Sequence, residues 1–280
     1  MNQSFDIKPF NSPCGASVHG FDCSKGCSDY NIKKLNEALL DHCFLVFRNQ
    51  KLAPDSLVKF SRKWGHLKKH ILKQYLLDDF PEVLVVSNKK NIDGRSLGIE
   101  DAGRYWHSDV SYEEEPPMGS LLYCIENPPY GGDTLFANQY LALKLINKSI
   151  INDMHKLRAF HNFNYDMLQK KQGSKRKALS KEQKKQLNGA VHPIIRIHPE
   201  TGKKCLYVNP GFTVGLDGNS SEEGKVLLNY LFSCATDQSV IHRHEWQLND
   251  LVFWDNRCLM HRATPYGSSY LRHMFRTTIT

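Results

Sequence analysis

His107 and Asp109 are separated by one residue in the run Trp106-His107-Ser108-Asp109. If that run is extended, the imidazole and the carboxylate face the same side, because alternate side chains of a strand share a face. A third ligand must come from elsewhere, and His261 offers it, downstream of the strand-like Leu251–Trp254 and the turn residues Asp255-Asn256-Arg257. Two histidines and one carboxylate leave three open positions on a metal. That facial arrangement suits a non-haem Fe(II) oxygenase, which needs the open positions for co-substrate and O2. Eleven residues beyond His261 stands Arg272, whose permanently charged fork suits the distal carboxylate of an acid co-substrate. A lone H-x-D pair is a weak signal among 13 histidines, so its surroundings have to carry the case.

Rival chemistries lack their residues. There is no G-x-S-x-G, no P-loop, and no G-x-G-x-x-G after a strand. Gly131-Gly132-Asp133-Thr134 is too short to cradle a phosphate chain and leads to no lysine. Glu113, Glu114 and Glu115 leave paired-carboxylate hydrolysis open, although an acidic triplet before Pro116-Pro117 is ordinarily a solvated loop.

The elements that must position these residues are short. Helical spacing is expected at Ile32–His42, Pro54–Trp64, Leu141–Ile151 and Ser221–Cys234. Strands are expected at Phe44–Phe47, Val83–Val86, Ser120–Ile125, Pro193–His198, Cys205–Val208, Leu251–Trp254 and His273–Ile279. No repeat of 20–50 residues is present, which excludes a solenoid. One domain over residues 1–280, mainly β with flanking helices in a jelly roll, fits this pattern. An apolar fraction of 40% is enough for a full core.

The net charge of +8 gathers in one place. Eight cationic residues between Gln169 and Gln186, from Lys170 to Lys185, face only Glu182. Such a block is ordinarily a solvated face rather than a nucleic-acid footprint, and it is expected to form a lid or insertion around residues 164–189. The polar first residues, the lack of a long apolar run and eight scattered cysteines point to a cytoplasmic protein with free thiols and no membrane span. Oligomeric state is not legible, and a homo-oligomer stays open.

The order of several motifs resembles the TauD/TfdA family of dioxygenases, which act on taurine and 2,4-dichlorophenoxyacetate. The motifs are Trp106–Tyr112, Pro116–Ser120, Gly131–Asn138, His192–Arg196, Val208–Phe212, Trp254–Arg257 through His261–Pro265, and Arg272–Thr278. The resemblance implies a double-stranded β-helix of the cupin type. It implies Fe(II) on His107, Asp109 and His261, with 2-oxoglutarate and O2 as co-substrates. Thr134 and Arg272 would hold the distal carboxylate of 2-oxoglutarate, with Trp254 packed nearby. The substrate would be small and anionic, met by His70, Arg276, the backbone N–H of Val110 and the ring of Phe212. Lys73 and Gly103 stand where the taurine enzymes carry tyrosine and asparagine, and Met260–Pro265 resembles the aryloxyacetate branch. The implied activity is therefore hydroxylation of a sulfonate-like or aryloxyacetate-like metabolite, with release of succinate and CO2. Desaturation or rearrangement by the same machinery is an alternative. A metal-free scaffold that binds a partner through its lysines is a remoter one.

Overall fold

Runs rich in Val, Ile, Leu and Phe pair with one another to give two facing β layers. The computed structural model describes residues 2–163, 179–185 and 187–280. In chain order the strands begin with β1 (Asp6–Pro9), β2 (Ala16–His19), β3 (Phe44–Phe47), β4 (Leu76–Leu77) and β5 (Phe80–Ser87). Next come β6 (Gly119–Glu126), β7 (Thr134–Asn138), β8 (Arg158–His161), β9 (Ala190–Pro193), β10 (Ile195–Ile197) and β11 (Lys204–Leu206). The last five are β12 (Thr213–Leu216), β13 (Ile241–His244), β14 (Leu251–Asp255), β15 (Leu259–Ala263) and β16 (His273–Ile279).

One layer has eight strands in the order β1-β2-β3-β14-β6-β16-β5-β4, with β2 and β3 parallel and the other pairs antiparallel. The other layer contains β13-β7-β15 and β12-β8-β9, while β10 and β11 pair separately. Period-two alternation decides what lies between the layers. Val252 and Trp254 of β14 point inward with Phe44, Leu122 and Phe136. Leu251 and Phe253 point outward, onto Leu35 and Leu39 of helix Asp29–His42 and Leu57 and Phe60 of helix Pro54–Ser61. A third cluster seats helices Gln139–Leu145 and Glu222–Ala235 behind the smaller sheets through Leu143, Leu228 and Leu231. Each such apolar side chain, fully buried, contributes roughly 1.5–3 kcal/mol.

The expected helix over Leu141–Ile151 is instead two helices, Gln139–Leu145 and Lys148–Met154. Ile146 turns extended (ψ 135), and the Asn147 side chain accepts from the Ser149 N–H to start the second helix. The expected strand Pro193–His198 is divided between β9, which ends at Pro193, and β10. Proline has no N–H for a ladder, and the backbone bond shifts to Ile194, which donates to Leu157 O at 3.2 Å. The lysine-rich lid or insertion around 164–189 falls mainly on residues 164–178 and 186, outside the described residues. Within it, Lys181–Lys185 forms a short helix, and Gln183 donates to Ile71 O at 2.8 Å. The eight cysteines are free thiols, and only Cys27 is less than buried. Among the described residues, no helix is long and apolar enough to cross a membrane.

Candidate metal centre and active site

The backbone aligns His107 with His261. The His107 N–H donates to His261 O at 3.1 Å, and the His261 N–H donates to His107 O at 2.8 Å. Two residues that exchange both bonds present their side chains on the same face of an antiparallel pair, and the two ring centroids lie 4.2 Å apart. The expected strand over His107–Asp109 does not extend past this single bridge. Asp109 is delivered by a turn in which Val110 has φ 56, a left-handed conformation rare for a β-branched residue. The bond from Glu113 N–H to Val110 O at 3.1 Å closes that turn, and Ser108 Oγ ties it to Leu259 O at 2.8 Å.

Three ligand atoms thereby converge. Asp109 Oδ1 lies 3.5 Å from His107 Nε2 and 4.0 Å from His261 Nε2. All three residues are buried, and their ligand atoms lie within 4.8 Å of one another. His107 Nδ1 meets the Tyr105 carbonyl at 2.8 Å, so its proton sits there and the Nε2 lone pair faces inward. His261 Nδ1 is buried without a partner. Two imidazoles and a carboxylate, facing each other at distances long for direct hydrogen bonds, are a donor set that fits a divalent iron ion.

Asp109 is oriented by Ser120 and Asn256, which the sequence did not single out, and by Trp254 and Arg276, for which it suggested other roles. Its Oδ2 accepts from Ser120 Oγ at 2.7 Å. Asn256 donates to that same hydroxyl at 3.2 Å and accepts from Trp254 Nε1 at 2.9 Å. Arg276 Nη1 donates to Oδ1 at 2.9 Å. Burial alone would raise the Asp109 carboxyl, but the Arg276 guanidinium and the two imidazoles outweigh it and hold it well below the usual carboxylate range. Burial, reinforced by His107 and Arg276 against the pull of Asp109, holds His261 well below the usual imidazole range. A carboxylate and a neutral imidazole are the forms that bind a metal.

Thr134 begins β7, where it pairs with Ala263 of β15, two rungs from the Phe136–His261 pair. The turn before it needs glycine twice. Gly131 and Gly132 have φ of 72 and 71, and a Cβ on Gly131 would come within 2.3 Å of Pro265 O. Arg272 runs past this turn, its Cδ at 3.4 Å from where a Gly132 Cβ would lie. Its side chain is only 5% exposed, its Nε has no partner, and no carboxylate pairs with it among the described residues. Burial lowers its pKa, against the weaker opposing pulls of Tyr266, Cys124 and Asp133. Trp254 packs its ring 4.8 Å from that of His261.

A cavity of about 50 Å³ opens beside His107 and Asp109. His70, Val110, Phe212 and Arg276 all line it, so the four expected substrate contacts meet in one place. Leu72 N–H donates to His70 Nδ1 at 3.1 Å, which puts the His70 proton on Nε2 and makes that atom a donor. Gly103, with φ of 69, lies 3.2 Å from His107 Cε1 at its notional Cβ. Lys73 does not line the cavity.

In a second group of potential ligands, His198, Asp255 and Cys258, the histidine and the carboxylate are already committed to other bonds. His198 Nδ1 accepts from the N–H groups of Glu200 and Thr201 at 3.2 Å each, which puts its proton on Nε2, 3.0 Å from Asp255 Oδ2. Arg257 occupies both Asp255 oxygens, at 2.9 and 2.6 Å. It is a structural ion pair.

Comparison with known proteins agrees with this geometry. The profile of the taurine catabolism dioxygenase TauD, TfdA family matches residues 6–278. The alpha-ketoglutarate-dependent 2,4-dichlorophenoxyacetate dioxygenase of Cupriavidus pinatubonensis is 28% identical over 279 residues, covering 96% of each chain. The alpha-ketoglutarate-dependent sulfonate dioxygenase of Saccharomyces cerevisiae is 28% identical over 281 residues, 97% of this chain and 66% of that protein. The crystal structure of a taurine dioxygenase from Burkholderia xenovorans superposes with a TM-score of 0.81 at 29% identity, covering 99% of this chain and 89% of that one.

Proposed function

This chain belongs to the TauD/TfdA family of dioxygenases, and on that premise we propose that His107, Asp109 and His261 hold the iron of an Fe(II)- and 2-oxoglutarate-dependent enzyme acting on a small anionic substrate. The fold is the cupin-like double-stranded β-helix of its structural relatives. The match from residue 6 to 278 supports reading the chain as one dioxygenase domain. The observation that carries the assignment is the convergence of two imidazole nitrogens and one carboxylate oxygen, all buried, from distant parts of the chain.

With iron bound, the ion supplies oxygen activation, so that 2-oxoglutarate and O2 yield succinate and CO2 while one oxygen atom goes to the substrate. The residues of the chain have the remaining tasks. Arg272 and Thr134 would take the distal carboxylate of 2-oxoglutarate, a role supported by the unpaired burial of Arg272. His70 and Arg276 would take an anionic group of the substrate, and Phe212 and Val110 would wall its carbon side against water. Trp254, Asn256 and Ser120 keep the Asp109 carboxylate aimed. The named relatives act on a sulfonate and on an aryloxyacetate, and those two classes are the first to try.

The test is succinate formation by the purified protein with Fe(II), ascorbate and 2-oxoglutarate, across a panel of sulfonates and aryloxyacetates. Turnover coupled to one substrate is expected, with a product mass gain of one oxygen. His107→Ala should abolish both. Unchanged turnover in that variant would remove the assignment.

A further inference from the structure

We propose that Trp246 is a positioning residue for the co-substrate: its indole N–H fills the acceptor side of the Thr134 hydroxyl and so commits that hydroxyl's one proton to the carboxylate beside Arg272. This rests on the reading above that Thr134 and Arg272 hold the distal carboxylate.

Trp246 Nε1 lies 3.0 Å from Thr134 Oγ1, both groups buried. An indole N–H can only donate, so the direction of this bond is not in question and the threonine oxygen is its acceptor. The hydroxyl proton must then point away from the indole. Among the described residues no acceptor receives it. A buried hydroxyl with one side occupied and the other unused is a donor waiting for a partner.

Both ends of the bond are held. Thr134 is β-branched, and its backbone is paired on two sides, with His244 of β13 and Ala263 of β15. The indole is braced edge-on by the His244 ring at 4.6 Å and 87°, and its backbone carbonyl accepts from Asn127 Nδ2 at 3.2 Å. The turn that carries it is closed by Gln247 N–H to Asp250 Oδ2 at 2.8 Å. Arg272 passes the Gly131-Gly132 turn immediately before Thr134, with an unpartnered Nε. The Gly131–Thr134 segment thus carries the Thr134 hydroxyl at one end and meets the Arg272 side chain at Gly132. Fixing the hydroxyl rotor in advance means that binding need not choose among its rotamers, the usual gain from preorganisation.

The experiment is calorimetric titration of 2-oxoglutarate into Mn(II)-loaded protein without O2, which reads binding and not turnover. Trp246→Phe keeps an aromatic ring and removes the N–H, and 3-benzothienylalanine at this position removes the N–H while keeping the bicyclic shape. Each should raise the Kd by about 2- to 12-fold, the loss of one neutral hydrogen bond. Thr134→Val should do at least as much. In the Thr134→Val background the second change should add nothing, because the hydroxyl that it orients is gone. A Trp246 effect of equal size in both backgrounds, or none in either while Thr134→Val still weakens binding, overturns the proposal and leaves the carboxylate site intact. If Thr134→Val and Arg272→Ala both leave the Kd unchanged, the carboxylate site itself is misplaced and the proposal falls with it. Should Trp246→Phe fold poorly, the 3-benzothienylalanine protein gives the same contrast.

Discussion

Replacing Arg272 by methionine should move stability and co-substrate binding in opposite directions. Arg272 is 5% exposed, its Nε has no partner, and no carboxylate forms an ion pair with it among the described residues, so the co-substrate-free protein carries a buried charge without a direct ion-pair partner. An apolar side chain of similar length removes that cost, and substitutions of this kind stabilise by about 1–2 kcal/mol. For a chain of this size that is a rise in Tm of roughly 2–8 °C. Binding goes the other way. Loss of hydrogen bonds to a charged donor costs about 1.5–3 kcal/mol, or roughly 12- to 150-fold in the Kd for 2-oxoglutarate. At a concentration of about 100 times the wild-type Kd, the ligand stabilises the wild type by about 2.7 kcal/mol and the variant by only about 0.3–1.3 kcal/mol. Differential scanning fluorimetry of Mn(II)-loaded protein under argon, with and without 2-oxoglutarate, reads both effects. A variant that melts lower than wild type without ligand, and still gains the full shift with it, would make Arg272 a structural residue and refute the reasoning.

Three further outcomes follow from separate observations. Asn209 ties the segment that carries the cavity residues Val110 and Tyr112 to the one that carries Phe212, donating to Ser111 Oγ at 3.0 Å and accepting from the Phe212 N–H at 2.8 Å. Asn209→Leu strands both buried partners and should lower stability by about 2–4 kcal/mol, read by urea unfolding, with more 2-oxoglutarate consumed per product formed. His161 is driven to a pKa of about 3 by burial, with His192 and Arg196 adding to it. Its neutral form is the folded one, so its contribution is complete above about pH 6.5 and shrinks as the pH falls towards the folded value, at about 1.4 kcal/mol per unit. His161→Gln should flatten the fall in stability between pH 6 and 4 by up to one proton, and an unchanged slope would contradict the assignment. Gly103→Ala must adopt φ of 69 and place a methyl 3.2 Å from His107 Cε1. A loss of roughly 1–2 kcal/mol in stability and weaker metal binding are expected, the second measured by Mn(II) titration.

What could be read from the sequence was what repeats or clusters locally. The apolar runs Phe44–Phe47 and His273–Ile279 are strands within those same bounds, because four to seven inward-and-outward residues carry their own pattern. His107, Asp109, His261 and Arg272 stood out as candidates because few other roles call for those types together. The turn at Val110 was not legible, since no propensity favours a left-handed valine and only its tertiary ties hold it there. Ser120, Asn209 and Trp246 were missed for a related reason. Each acts through isolated polar contacts, to residues 11, 98 and 112 positions away respectively, and such contacts leave no periodicity behind. His70, Thr134 and Phe212 came from family resemblance, and the cavity brings His70 and Phe212 to the same wall as His107.

Charge balance makes the preference for an anion a quantitative question. The cavity beside His107 carries the Asp109 carboxylate and the Arg276 guanidinium, which pair at 2.9 Å and cancel. Iron(II) and the dianionic 2-oxoglutarate cancel as well, and that leaves the buried charge of Arg272 over. A monoanionic substrate closes the balance, a neutral one leaves a positive site, and a dianion leaves a negative one. Unbalanced buried charge is costly in a low-dielectric site, so the order of kcat/KM should be monoanion first, with the neutral amide and the dianionic phosphonate of the same carbon skeleton both behind. Loss of one charge-assisted hydrogen bond sets the gap at about 10-fold or more. Steady-state succinate assays on one such isosteric series decide it. Equal turnover of the amide would mean that Arg276 never leaves Asp109 for the substrate, and that the pocket selects by shape alone.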